Sequence, residues 1–151
     1  KFMTTILNAT DREATLKRFE TLQSSTQRLW GTMSAEEMLW HLRSQLELAL
    51  GITRQTTFVK STLAFPPVRW LLLYIIPWPK GSRTAPEMNV KKLHPGVKDV
   101  LTEKQLLFAR LNETLAANEL NAHPLFGKMN MTLWGRLIWK HFDHHLRQFG
   151  L

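Results

Sequence analysis

The sequence predicts an all-α protein: an antiparallel four-helix bundle with one extra short helix and one long loop, in a single domain over residues 1–151. Three observations lead there. Apolar residues recur at three- and four-residue spacing in four long stretches. Capping-box sequences mark where three of them begin. Proline and glycine clusters separate them, and no internal repeat or low-complexity tract interrupts the pattern.

The first helix is expected to start at Thr10, because Thr10-Asp-Arg-Glu13 has capping-box form and Leu16, Phe19 and Leu22 follow at helical spacing. Ser24-Ser25-Thr26 and Gly31 break the pattern. Ser34-Ala-Glu-Glu37 opens the second helix, which ends near Gly51. Residues 53–62 are polar. Pro66-Pro67 suits a first helical turn, where a missing N–H costs nothing. The run Trp70 to Ile76 is wholly apolar but far shorter than the ~20 residues a membrane span needs. It reads as a short buried helix, with an interfacial segment as the alternative. Pro79 to Pro95 reads as a long loop, and loops of that length in compact domains are often functional. Thr102-Glu-Lys-Gln105 is a third capping box, followed by Phe108, Leu111 and Leu115. His123-Pro-Leu-Phe-Gly127 is a turn. The last helix runs from about Asn130 to Gln148 and stops at Gly150.

Composition narrows the function classes. The chain has 151 residues, 44% of them hydrophobic, enough for a packed core and too many for general disorder. Six Trp and eight Phe against one Tyr imply a bulky aromatic interior. With no Cys there is no disulfide framework, no thiolate-bound metal and no Cys nucleophile. No charged-then-apolar signal segment opens the sequence given, and a cytoplasmic location is expected. The net charge of +8 favours anionic partners by long-range steering, but it is spread along the chain. No recognition-helix motif or basic-aromatic stripe accompanies it, so nucleic-acid binding ranks last.

Histidines carry the chemistry. On the last helix, at about 100° per residue, Lys140, Asp143 and Arg147 fall within roughly 40° of Arg136 as a solvent stripe. His141 and His145 fall on the far side, among Trp134, Leu137 and Ile138. His144 lies between, at the rim. On the second helix Glu36, Arg43 and Glu47 define the wet face. His41 points the other way, with Met38, Leu42, Gln45 and Ala49. A lone buried histidine is ordinarily a hydrogen-bonded core residue, and a His-x-x-x-His pair alone has other causes. Three imidazoles from two helices aimed into one interior need partners for their nitrogens, and one divalent ion can serve all three.

Gln45, one turn beyond His41, could orient a histidine or a ligand. Glu37, one turn before it, could do the same or act as a base, although the capping box already accounts for it. His144 could move protons at the rim. Several mechanisms are excluded. Phe142 stands where a zincin has its Glu, and no Glu-x-x-His pair supports a di-iron site. Lys80-Gly81-Ser82 is too short for a phosphate loop, and no Ser-His-Asp order is recognisable.

Trp30-Gly-Thr-Met-Ser-Ala-Glu-Glu-Met-Leu-Trp-His41, then His123-Pro-Leu-Phe-Gly127, then His141-x-x-x-His145 with Leu146-Arg-Gln148 together resemble the DinB superfamily (DinB/YfiT-like), in a branch of unknown function. The ordered set covers nearly the whole chain. The resemblance implies a four-helix bundle holding zinc or nickel on three histidines, which by position are His41, His141 and His145. It also implies a thiol-dependent transferase or isomerase using a low-molecular-weight thiol such as bacillithiol or mycothiol, or a hydrolase, and a homodimer. The segment Trp70 to Pro95 is less typical of that family, so the substrate does not follow from it. The expected function is a metal-dependent transferase or hydrolase acting on a small, anionic substrate. A metal- or small-molecule-binding module without turnover is the alternative.

Overall fold

The structure is a computed structural model describing residues 3–56 and 60–151. Part of the polar 53–62 stretch therefore lies outside the described residues. Among those described, the regular elements are all helical: α1 (Ala9–Glu20), α2 (Ala35–Ala49), α3 (Pro66–Tyr74), α4 (Val90–Leu93), α5 (Val100–Ala116) and α6 (Met131–Gln148). Short 3-10 turns cover Thr62–Ala64 and Pro86–Met88. His123 and Gly127 form an isolated bridge that closes the turn expected there.

The long helices α1, α2, α5 and α6 share one core. Phe19, Met38, Leu42, Leu107, Leu111, Trp134 and Phe142 are all almost fully buried in it. Helix directions follow from paired contacts. Arg43 meets Glu103, Glu47 meets Arg110, and Asn121 N–H donates to Ala49 O. The order rises on both sides, so α2 and α5 run parallel, joined by the long crossover 50–99. On α1 and α6, Ile6 N–H donates to Gly135 O and Arg18 pairs with Asp143, so these two also run parallel. Between α2 and α6 the order reverses, Gln45 meeting His141 and Leu29 meeting Gln148. The four long helices run up-down-down-up rather than antiparallel at every neighbour, because a crossover of 50 residues is long enough to return the chain to the end where α2 began.

Several local expectations shift. Asn8, not Thr10, caps α1, its side chain accepting from Asp11 N–H. Asp99, not Thr102, caps α5, and takes both the N–H and the hydroxyl of Thr102. In each case an Asn or Asp lies upstream and satisfies the first-turn donors before the Thr can. Ser34 and Glu37 do form the reciprocal box of α2. Pro66 and Pro67 do open α3. Gly51 and Gly150, both at positive φ, follow α2 and α6 where a side chain would be strained.

The solvent stripe expected on α6 is half covered. Arg136 donates to Leu73 O and Thr4 O, and Lys140 donates to Leu72 O and Ile76 O. Both are buried, because they cap the unsatisfied carbonyls at the C-terminal end of α3. The wet face expected on α2 is likewise an interface. Glu47 is buried, and Arg43 bridges it to the fully buried Glu103 of α5. A wheel reads polarity, and here the polar groups pair with one another instead of with water.

The Trp70 to Ile76 run also departs from expectation. Only Leu73 is buried; Trp70, Leu71, Ile75 and Ile76 are exposed. The Pro79 to Pro95 segment is not structureless: it carries the Pro86–Met88 turn and α4, and it packs on α2.

Candidate metal centre

His41 sits midway along α2, and His141 and His145 lie one turn apart on α6. The α2/α6 crossing brings the three rings together. His41 Nε2 lies 3.0 Å from His141 Nε2, and His145 Nε2 lies 3.1 Å from His141 Nε2. One ligand atom from each falls within 4.8 Å of the others, and all three residues are buried.

The opposite nitrogens set the tautomers. His41 Nδ1 lies 2.9 Å from Met88 O, which only accepts, so Nδ1 carries the proton. His145 Nδ1 lies 2.7 Å from Gln148 Oε1, and the Gln148 amide is oriented because its Nε2 donates to Trp30 O. His141 Nδ1 faces Gln45 Oε1 at 2.9 Å. Each ring is thus held by an acceptor behind it, leaving three bare Nε2 lone pairs aimed at one another. Such lone pairs repel unless a cation lies between them. Four-coordinate zinc with nitrogens at about 2.0–2.1 Å places them roughly 3.3 Å apart, close to what the rings already show. The donor set therefore fits a divalent ion, and the imidazoles are backed by hydrogen-bond partners as metal-ligating histidines usually are.

Protonation agrees. Burial pushes His41, His141 and His145 below the ordinary histidine range, the last two well below it, and the neighbouring rings push His141 and His145 further. The neutral form is the one a metal takes. His144 is half-buried, as its rim position implied. Burial lowers its pKa, with Asp143 opposing and Lys80 adding to the effect.

A cavity of about 140 Å³ lies over the cluster. Trp78 stacks on His141 from one side, and Trp30 and Trp78 flank His144. Residues 81–85 and Met88, from the expected long loop, complete the wall. Among the described residues no carboxylate lines this cavity, whereas Arg83 does. Glu37 is elsewhere: it accepts from Ser34 N–H and pairs with Lys91 on another face.

His123, which the sequence places in a turn with no site role, joins the site. It is buried beneath the site, and its Nδ1 accepts the N–H groups of Leu125 and Phe126. The neutral ring therefore carries its proton on Nε2, which faces the Gln45 amide at 3.3 Å. Its pKa falls to about 3 through burial. The Gln45 amide is contested by two imidazole N–H groups, from His123 and His141, and has one oxygen to offer. A carboxylate has one for each. Gln45→Glu is expected to tighten zinc binding about tenfold, the lower end of effects from groups behind metal ligands; Gln45→Leu is expected to weaken it by a similar factor. Competition titration against a chromophoric chelator measures both.

A family model described as "Protein of unknown function (DUF1569)" matches residues 3–150. No curated protein and no solved structure matches.

Proposed function

We propose that this chain, which belongs to the DUF1569 family, is a metal-dependent enzyme, a hydrolase or thiol-dependent transferase acting on a small anionic substrate. The observation that carries the reading is the set of three buried Nε2 lone pairs, from His41, His141 and His145, at the floor of a cavity. Three neutral nitrogen ligands leave coordination positions free, as in catalytic rather than closed structural sites. A bound zinc or nickel ion would lower the pKa of water or of an incoming thiol, and so supply a nucleophile near neutral pH.

The protein's own groups do the rest. Met88 O, Gln45 and Gln148 fix the ring orientations. Trp30 and Trp78 exclude water from the rim. His144, half-buried beside His145, is placed to pass protons between cavity and solvent. Arg83 and the nearby Lys80 favour a carboxylate or phosphate on the substrate, and among the described residues no acidic side chain in the lining opposes it.

The test is elemental analysis of purified protein, then ester hydrolysis, amide hydrolysis and thiol-transfer assays with and without chelator. Stoichiometric metal with chelator-sensitive turnover is expected. Metal without turnover on any class supports a binding module; absence of metal after loading with zinc and nickel overturns both readings.

A further inference from the structure

A second feature is independent of the metal. The outward side of α3 is apolar. Trp70 is 52% exposed, Leu71 41% and Ile75 57%, and Phe65 just before the helix is 60% exposed. Their spacing puts Pro67, Trp70, Leu71 and Ile75, with half-buried Tyr74, on one helical face. The helix is apolar inward too, where Leu73 meets the core. Exposed Leu and Ile scattered singly need no explanation, but a contiguous aromatic and aliphatic patch does.

Charge indicates what covers it. Between Glu47 and Glu87 the sequence has no Asp or Glu, and it has Arg54, Lys60, Arg69, Lys80 and Arg83. Lys60, Lys80 and Arg83 border a cleft of about 620 Å³ whose apolar wall includes Leu72 and Trp78, next to α3. Arg69 is committed to Phe126 O and Lys128 O. Among the described residues the one carboxylate lining the pocket of Ile75 and Ile76, Asp143, is paired with Arg18 and Arg147. An isologous contact with a second copy would set this basic patch against an equally basic one. A surface with acyl chains under anionic headgroups matches both the apolar stripe and its basic border. Among the described residues no helix is long and apolar enough to cross a membrane, so such a contact would be peripheral.

We propose that the outward face of α3, with Lys80 beside Ile75 and Ile76 and with Lys60 and Arg83 along the adjoining cleft, docks on an anionic lipid bilayer surface. The aromatic side chains would sit at the headgroup boundary, where Trp and Tyr are favoured.

Co-sedimentation with vesicles of phosphatidylcholine alone, and of phosphatidylcholine with phosphatidylglycerol, tests this on the full chain. Binding to the anionic vesicles is expected, with a blue shift of Trp fluorescence. With three cations at the contact, affinity for neutral vesicles should be roughly a hundredfold lower. Leu71→Glu with Ile75→Glu should abolish binding while the helical circular dichroism persists. Lys60→Glu with Lys80→Glu, both on the exposed surface, should weaken it at least tenfold and serves if the first variant misfolds. Equal binding to both vesicle types overturns the proposal. So does absence of binding, whether the protein sediments as a monomer or as a dimer that Leu71→Glu disperses, the latter assigning the face to a second copy.

Discussion

His141→Ala is expected to remove the metal-dependent part of the protein's stability. An ion that binds only the folded state adds about 4 kcal/mol at a thousandfold excess over its Kd. In a chain of this size that is a rise in Tm of roughly 8–16 °C. His141 is the central ring of the cluster, since its Nε2 lies about equally far from those of His41 and His145, at 3.0 and 3.1 Å. Its loss leaves two nitrogens and should reduce affinity by well over a hundredfold, more than groups behind the ligands contribute. Melting curves with and without zinc read this directly. Wild type should gain its full increment and the alanine variant almost none, while the two metal-free proteins melt near one another. A variant that keeps the full increment would remove His141 from the centre.

Acid is expected to destabilise the metal-free protein steeply between about pH 6.5 and pH 4. The sign follows from proton counting. His123 has a folded pKa of about 3 against an ordinary value of 6.5, so below pH 6.5 the unfolded chain binds a proton that the folded chain refuses. Stability is full above the unfolded pKa and is lost as the pH falls toward the folded one. At pH 5 His123 alone costs about 2 kcal/mol, at 1.36 kcal/mol per pKa unit. His41, His141 and His145 shift in the same direction, for the same reason of burial. Against a typical total of about 5–15 kcal/mol, the combined loss is a large share. Urea midpoints at pH 7, 6, 5 and 4 in the presence of chelator measure it. A flat profile would mean that the four imidazoles are not held neutral in the folded protein. His123→Phe should flatten it in part without touching the three metal-facing nitrogens.

The four long helices, the short helix after Pro66, most helix ends and the three converging histidines were legible in the sequence; α4, inside the segment read as a loop, was not. Helical spacing alone put His41, His141 and His145 on the apolar sides of α2 and α6, because a 3.6-residue period fixes which side chains share a face. Gln45 was legible for the same reason, one turn from His41. His123 was not. It lies in a turn, where no period links its direction to the core, and only its contacts beneath α2 reveal its role. The carbonyl of Met88 and the Trp78 ring were equally hidden, since both arrive from the long crossover.

Polarity misled where polar groups pair within the protein. Arg136 and Lys140 read as solvent-facing and are buried capping α3; Glu47 read as exposed and is buried against α5. The apolar run after Pro67 read as buried and is largely exposed. Local periodicity and side-chain chemistry were enough to place the long helices, their inward faces and the residue types that could hold a metal. The parallel pairing of α2 with α5, the closure of the crossover over the cavity and the outward turn of α3 belong to the tertiary structure alone. Each depends on contacts between segments tens of residues apart, and no local period encodes which of two polar or two apolar faces finds a partner.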